Sequence, residues 1–573
     1  MATTVLGVAI FGLVWLLRFN DPGGSFAGLT DDHLFYLIRG WQILFGDLPA
    51  RDFVDHGAPL YYYVAAGVQT VVGRGTFSEV LFSSAMLGLS ASLIFWLSAR
   101  ASGSMLVGLV GATFFVCLDP RFYNYPKFLT YLAAIPLLWK FADAPGERPR
   151  LWLAVVTVVS FLFRHDHGAF IAVSVAVLLV QLRHIPWMER LKHAVVYGLL
   201  VLAMLAPYLV FIQRNGGIMA YFEQASAWAE RDRGRAPMVF PGLFENPDGV
   251  ADETQTATGV SRVVWVLRDN MVAWIFYTEI ALPFFALFVL WMSSDGGRPG
   301  WQHARAKLAT VAILAIMLDA YFLRSPLEAR LADPSVPLAI LLSWLVVAVP
   351  RLVVAGRSLS PAAQASPWLV RGLVAIGAAA IAFILLGTLS RDFYDRLDGA
   401  SMAERVGKPP ERALQIARQL QAEWDLRTWE ARADRPDLIT LSMYVNACTA
   451  PADRVLVQGY LPQVLALAKR AFAGGHADLR PGFFDTESAQ RLTLDRLRRQ
   501  SVPIMLLDAE QSLDNFRSSF PLIAAYIDEQ YQVAGTHEFD ERFGISLFVR
   551  KDLTPRSTWE PLGWPCYGTG RVS

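Results

Sequence analysis

Apolar segments of roughly 15 to 22 residues recur along the first two-thirds of this chain, each close to the ~20 that a helix needs to cross a ~30 Å hydrocarbon core. No other feature constrains the fold as strongly, because in lipid each backbone polar group has to find its partner within the protein, and a helix supplies it locally. Spans are expected near residues 3–19, 78–99, 104–118, 127–142, 151–163, 168–183, 193–213, 271–292, 307–323, 335–350 and 368–389, about eleven in all. With 54% hydrophobic and 12% aromatic residues over 573 positions, the composition lies outside the soluble range. The first apolar run, to Leu17, reads as an uncleaved span, since both a basic leader and a small-x-small cleavage site are missing.

The stretch 59–73 is apolar but ambiguous, and counting it as a span would invert every later loop. Basic residues decide the matter, since they concentrate in cytoplasmic loops. If 59–73 lies in the membrane interface, Arg183, Arg190, Lys192, Arg298, Arg305, Lys307, Arg351 and Arg357 all fall inside. The same choice places the unusual polar clusters together on the outer side, a grouping that was not used in making it. They are Asp31-Asp32, the segment from Asp119 to Lys127, Arg164-His165-Asp166-His167, the 214–270 loop, and the segment from Arg324 to Arg330.

After about residue 389 the apolar runs shorten and charge rises. The expected division is therefore a transmembrane domain over 1–389 and a soluble, extracytoplasmic α/β domain over 390–573 that opens with an amphipathic helical stretch. Its buried strands are expected at 453–459, 502–508 and 545–550, with helices at 461–470 and 486–500. Three cysteines are too few for a disulfide framework or a zinc cluster. Cys448 and Cys566 either pair in an oxidising compartment or remain two buried thiols. Gly474-Gly475-His476 reads as a loop, and His476 and His537 as ordinary surface or core histidines. The chain carries no internal repeat, P-loop or dinucleotide fingerprint.

Carboxylates crowded against a membrane entry point are expensive to hold and mark chemistry more often than packing. Asp31-Asp32-His33-Leu34-Phe35-Tyr36 sits a dozen residues past the first span, and Asp52-Phe53-Val54-Asp55-His56-Gly57-Ala58-Pro59-Leu60 follows it. In this order, with Tyr61-Tyr62-Tyr63 behind, the residues resemble the first external loop of the GT-C fold glycosyltransferases. That group includes the protein O-mannosyltransferases and the aminoarabinose transferases of lipid A. The resemblance covers about residues 1–390 and is strongest over 25–75. It implies a polyprenyl-phosphate-linked sugar as donor and a first-loop acid acting on the acceptor, either Asp31-Asp32 or, if Tyr36 is the fixed point, Asp32-His33. Ala58 stands where the family often has Lys before the Pro, which leaves the phosphate to other cations.

For the donor that the resemblance implies, a phosphate leaving group needs a base and cations, not a protonating acid. Asp31 or Asp32 is the expected base, removing the acceptor proton during an inverting attack. Arg164, Lys127 and Arg324 are the expected phosphate cations. Asp119 is expected to hold the acceptor, or a divalent cation together with the first-loop carboxylates. Its bland rival is a helix-ending Asp-Pro. Asp52, His56, Asp166 and His167 are candidate substrate contacts, against solvated loop charges or an Arg164–Asp166 pair as the plainer readings. Glu279, inside an apolar span, is expected to face a cavity or a partner; Asp319 is similar but nearer water.

The expected partners are the lipid-linked sugar, membrane lipid, and a glycan, lipid or protein acceptor, with no nucleic acid. The expected location is the inner (plasma) membrane, multi-pass. The rival functions are a transporter or lipid flippase, against which the absence of two related halves counts, and a non-catalytic envelope-assembly subunit.

Overall fold

The computed structural model describes residues 2–19, 31–233, 240–243, 270–293, 301–323, 330–355, 368, 372, 374–379, 436–508, 513–540 and 543–567. Helices run where apolar segments recur: Ala2–Phe19, Thr76–Ser102, Met105–Cys117, Tyr125–Asp143, Glu147–Phe163, His165–Gln181, Trp187–Arg214, Met271–Met292, Trp301–Phe322 and Ser335–Ala355. Most run a few residues past the expected spans, because polar residues can complete the terminal turns. Among the described residues, Thr76–Ser102, Trp187–Arg214 and Val272–Met292 are long and apolar enough to cross a membrane. Expected span 368–389 and the amphipathic stretch before residue 436 lie largely outside the described residues.

The chain divides into two compact units. The first joins 1–22, 83–207 and 233–404. It is a bundle of apolar helices, and small residues set how closely they approach, as is usual where lipid gives no hydrophobic drive between helices. A Cβ on Gly108 would lie 2.8 Å from the Phe95 carbonyl oxygen, and one on Gly88 would lie 2.8 Å from that of Phe11. Either substitution would force the helices apart.

The second unit joins 23–82, 208–232 and 405–573, so the first loop folds with the C-terminal region. Helices Asp31–Leu44 and Pro59–Val71 touch at Gly40, where a Cβ would lie 2.8 Å from that of Ala65. Pro59 opens its helix in the first turn, where its missing N–H costs nothing. Asp55 Oδ1 accepts from the N–H groups of Gly57 and Ala58 at 2.9 and 3.1 Å just ahead of it. The stretch 59–73 is thus largely a short helix whose Tyr61 and Tyr62 are buried while Tyr63 and Val71 are exposed.

The C-terminal region is built on a five-stranded mixed sheet. β1 (Arg454–Val457), β2 (Ala471–Phe472), β3 (Ile504–Asp508), β4 (Tyr531–Asp540) and β5 (Phe543–Arg550) lie in the order β2-β1-β3-β5-β4. β1 is parallel to both β2 and β3, and β5 is antiparallel to both β3 and β4. Helices Glu487–Leu497 and Pro521–Gln530 cover a core of Leu456, Met505, Leu507, Phe520, Ile523 and Phe548. The expected strands and both expected helices are present. β4 escaped notice because its hydrophobic alternation is broken by two irregularities in register, at Val533/Gly535 and Glu538/Asp540.

Arg454, at the start of β1, donates to both carboxylate oxygens of Asp47 at 2.5 and 2.9 Å and to Gln42 Oε1 at 3.2 Å. Gln42 in turn donates to the Phe472 carbonyl at 2.8 Å. Val54 N–H donates to the Gly475 carbonyl at 3.0 Å, and a Cβ on Gly475, at φ +82°, would lie 2.7 Å from the Asp52 carbonyl oxygen. The glycine pair is therefore the point at which the first-loop backbone meets the sheet.

Cys448 and Cys566 form a disulfide across 118 residues, with Cα atoms 4.5 Å apart. Closing a loop of that length restricts the unfolded chain, so the double variant Cys448→Ser/Cys566→Ser should lose about 2–4 kcal/mol. Thermal melting of the detergent-solubilised protein measures this, and an unchanged transition would contradict it.

Candidate functional site

Two groups of polar residues stand out, one in each unit. In the second unit the helix Asp31–Leu44 begins at the acidic pair. Asp31 is its first residue, and its side chain lies outside the described ones. Asp32 accepts a hydrogen bond from the Tyr460 hydroxyl at 2.7 Å. Helical spacing puts Asp32, Tyr36 and Arg39 on one face. His33, one residue on, points inward and shares a 3.0 Å hydrogen bond with Glu79, both fully buried.

Arg39 is 1% exposed. Its Nε and Nη1 donate to the carbonyls of Val54 and Phe35 at 3.4 and 3.2 Å, and its guanidinium carbon lies 3.5 Å from the centre of the Phe35 ring. Among the described residues it has no carboxylate ion pair. Burial draws its pKa below the ordinary value, opposed by Tyr62, Tyr460, Tyr36 and Asp478. Tyr460 lies between the Phe35 ring at 5.2 Å and the Arg480 guanidinium at 5.1 Å, and Arg480 pairs with Asp478. Burial, and then the Asp32 charge, hold the Tyr460 phenol protonated far above its usual range.

The second motif is anchored rather than free. Asp52 accepts from Leu48 N–H at 2.8 Å and from Arg51 at 2.6 Å. Burial works to raise its pKa, but these donors hold it below the ordinary value. Asp55 Oδ2 accepts from Tyr221 at 2.8 Å and Tyr208 at 3.4 Å, so its carboxylate organises three segments. His56 packs on Phe35 and Phe484; burial, followed by Arg39, His476 and Arg480, keeps it neutral.

In the helix bundle, Lys127 and Asn124 both bind Asp333, at 2.8 and 2.9 Å, with Arg164 and Arg330 the nearby positive charges. Arg164 pairs with Asp166 at 3.1 Å and donates to the Tyr321 hydroxyl. Asp166 also accepts from His167 N–H at 2.9 Å, and the His167 ring is bonded to Tyr131. Thus Lys127, Arg164, Asp166 and His167 do converge, but each is already engaged within the protein. Asp119 adopts φ +50° and pairs with Arg18, which also donates to the Pro120 carbonyl at 2.9 Å. Arg324 lies outside the described residues.

Glu279 and Asp319 are 2% and 3% exposed on packed neighbouring helices. Neither carboxylate oxygen of either residue has a hydrogen-bond partner among the described residues. No three His, Cys, Asp or Glu side chains among the described residues gather to hold a metal ion, and Asp119 is taken by Arg18.

Sequence reasoning missed Arg39, Glu79, Asp333, Tyr460 and Arg480. Arg39 was within reach, seven residues beyond Asp32 on a helical face. Tyr460 and Asp333 were not, because their contacts join positions 428 and 206 residues apart.

No family model matches the chain, and no curated protein matches it. Among solved structures, the crystal structure of ArnT from Cupriavidus metallidurans bound to undecaprenyl phosphate is similar over 95% of this chain and 97% of that one, at 13% identity and a TM-score of 0.46. A likeness at that identity and score carries no conclusion about chemistry, which has to come from the residues themselves.

Removing one partner of a buried ion pair strands the other, so Asp333→Asn should cost about 3–5 kcal/mol. The double variant Lys127→Met/Asp333→Leu should cost much less. Equal melting temperatures for wild type and Asp333→Asn would contradict this reading of the pair.

His476 bonds Thr493 at 2.8 Å, and burial, then Arg496 and Arg39, lower its pKa from 6.5 to about 3. Between those values the unfolded chain binds the extra proton, so stability should fall as pH drops from 6.5 toward about 3. His476→Gln should flatten that limb of the melting-temperature profile; an unaltered slope would contradict the assignment.

Proposed function

We propose that this chain is an integral membrane glycosyltransferase that moves a sugar from a polyprenyl-phosphate donor to an acceptor hydroxyl on the extracytoplasmic face, with inversion at the anomeric carbon. The observation that carries the reading is the Asp32 carboxylate, held by a tyrosine at the head of a helix whose same face bears a buried Arg39 that has no carboxylate ion pair among the described residues. A carboxylate oriented by a fixed donor is suited to general-base work. The nearby guanidinium supplies positive potential without neutralising the carboxylate by direct pairing.

In this mechanism the acceptor oxygen attacks the anomeric carbon as Asp32 takes its proton. The new C–O bond forms while the bond to the polyprenyl phosphate breaks, and the phosphate leaves with both electrons. No protonation of the leaving group is needed, since phosphate is already a good leaving group. Lys127 and Arg164 are assigned to the phosphate; fixed cations in a water-poor site stabilise developing charge better than solvent does. To bind it they would exchange part of their contacts with Asp333 and Asp166, which hold them in place meanwhile. Glu279, whose oxygens have no hydrogen-bond partner among the described residues, is assigned to substrate hydroxyl groups. The basic loops, read by the positive-inside rule, and the disulfide, typical of oxidising compartments, both favour an outer location for the C-terminal region. The reading keeps about eleven spans and a glycan, lipid or protein as acceptor.

Asp32→Asn should lower transfer about 10²–10⁴-fold with normal expression and melting, read by mass spectrometry of envelope glycans from cells carrying only the variant. Wild-type product from Asp32→Asn would remove the base assignment.

A further inference from the structure

The C-terminal sheet has its own functional geometry. β1 lies between β2 and β3, parallel to both. The chain passes from β1 to β2 on one side and later to β3 on the other. In open α/β sheets the crevice beyond the carboxyl ends of the strands, at such a reversal, is where ligands are bound. Tyr460 sits there, three residues past the end of β1. Its backbone position is fixed by Gln458 N–H donating to the Leu506 carbonyl at 2.9 Å and Gly459 N–H donating to the Leu479 carbonyl at 3.0 Å. Gly459 takes φ +87°, a turn that a side chain would oppose.

The side chain is fixed as well. Phe35 and Arg480 flank its ring, and Asp478 pairs with Arg480 from the same loop. The Tyr460 hydroxyl is thereby oriented toward the first-loop helix, where it donates to Asp32 at 2.7 Å. A tyrosine needed only for packing would not require its donor aimed at a carboxylate in the first turn of that helix.

We propose that Tyr460 is a positioning residue, which from the reversal point of the C-terminal sheet holds the Asp32 carboxylate in the orientation that takes the acceptor proton. The inference rests on the proposed base role of Asp32 and deepens it. It gives the C-terminal region a part in the reaction beyond packing.

The test uses membranes from cells that lack their own copy and express full-length wild type, Tyr460→Phe, Asp32→Asn or the double variant, with the endogenous lipid-linked donor and acceptor. Initial transfer rates are followed by mass spectrometry over about pH 5 to 9. Tyr460→Phe should transfer about tenfold more slowly, the size expected from one hydrogen bond to a charged group, with unchanged melting. Its acid limb should move to higher pH, because the carboxylate loses a donor that favours its ionised form, and it should add nothing to Asp32→Asn. Should Tyr460→Phe fail to fold, 3-fluorotyrosine at 460 keeps the ring, strengthens the donor and should move the acid limb to lower pH. A wild-type rate and pH profile for Tyr460→Phe, or a loss that adds fully to that of Asp32→Asn, would overturn the positioning role. Wild-type transfer by Asp32→Asn would instead overturn the base reading itself.

Discussion

The two-pronged contact of Arg454 with Asp47, joined by Gln42, is the interaction on which the second unit depends. All three side chains are largely withdrawn from water, and breaking one partner of such a pair costs about 3–5 kcal/mol because the other charge is stranded. The contact ties the end of the helix Asp31–Leu44 to the start of β1. Once those ends are joined, the rest of the helix is committed in register, and Asp32 near its head meets the residue that follows the other end of the same strand. The glycine pair Gly474-Gly475 makes a second tie, at a position where only a residue without a side chain lets the Asp52 carbonyl approach.

The helix bundle handles charge differently. Lys127 and Asp333 neutralise each other in a largely buried pair and Arg164 and Asp166 in a half-buried one, while Glu279 and Asp319 are left without hydrogen-bond partners among the described residues. Pairing offsets part of the desolvation cost of buried charge, and unpaired buried carboxylates are costly unless something satisfies them.

Much of this architecture was legible in the sequence, for reasons that differ from element to element. The helices follow from apolar runs, since lipid-compatible length is a local property. β1, β3 and β5 follow from short buried runs such as Val502-Pro503-Ile504-Met505-Leu506-Leu507. β4 does not, because its bulges break the period that marks a strand. The acidic pair was conspicuous in the sequence, yet the hydrogen bond that holds Asp32 was not legible, since it comes from a tyrosine 428 positions away. Gly475 read as a mere loop signal for the same reason: its requirement for glycine comes from Asp52, a neighbour in space only. Asp119 shows the opposite limit, a residue conspicuous in sequence whose carboxylate is engaged by Arg18.

The central claim is a single displacement in which Asp32 deprotonates the acceptor and no sugar is attached to the protein. It is tested most directly by comparing the anomeric configuration of the donor lipid with that of the transferred sugar, from the proton coupling constants of both. The account predicts opposite configurations. The same configuration in both would contradict it, since retention requires a second displacement through a covalent sugar–enzyme species that this mechanism does not contain.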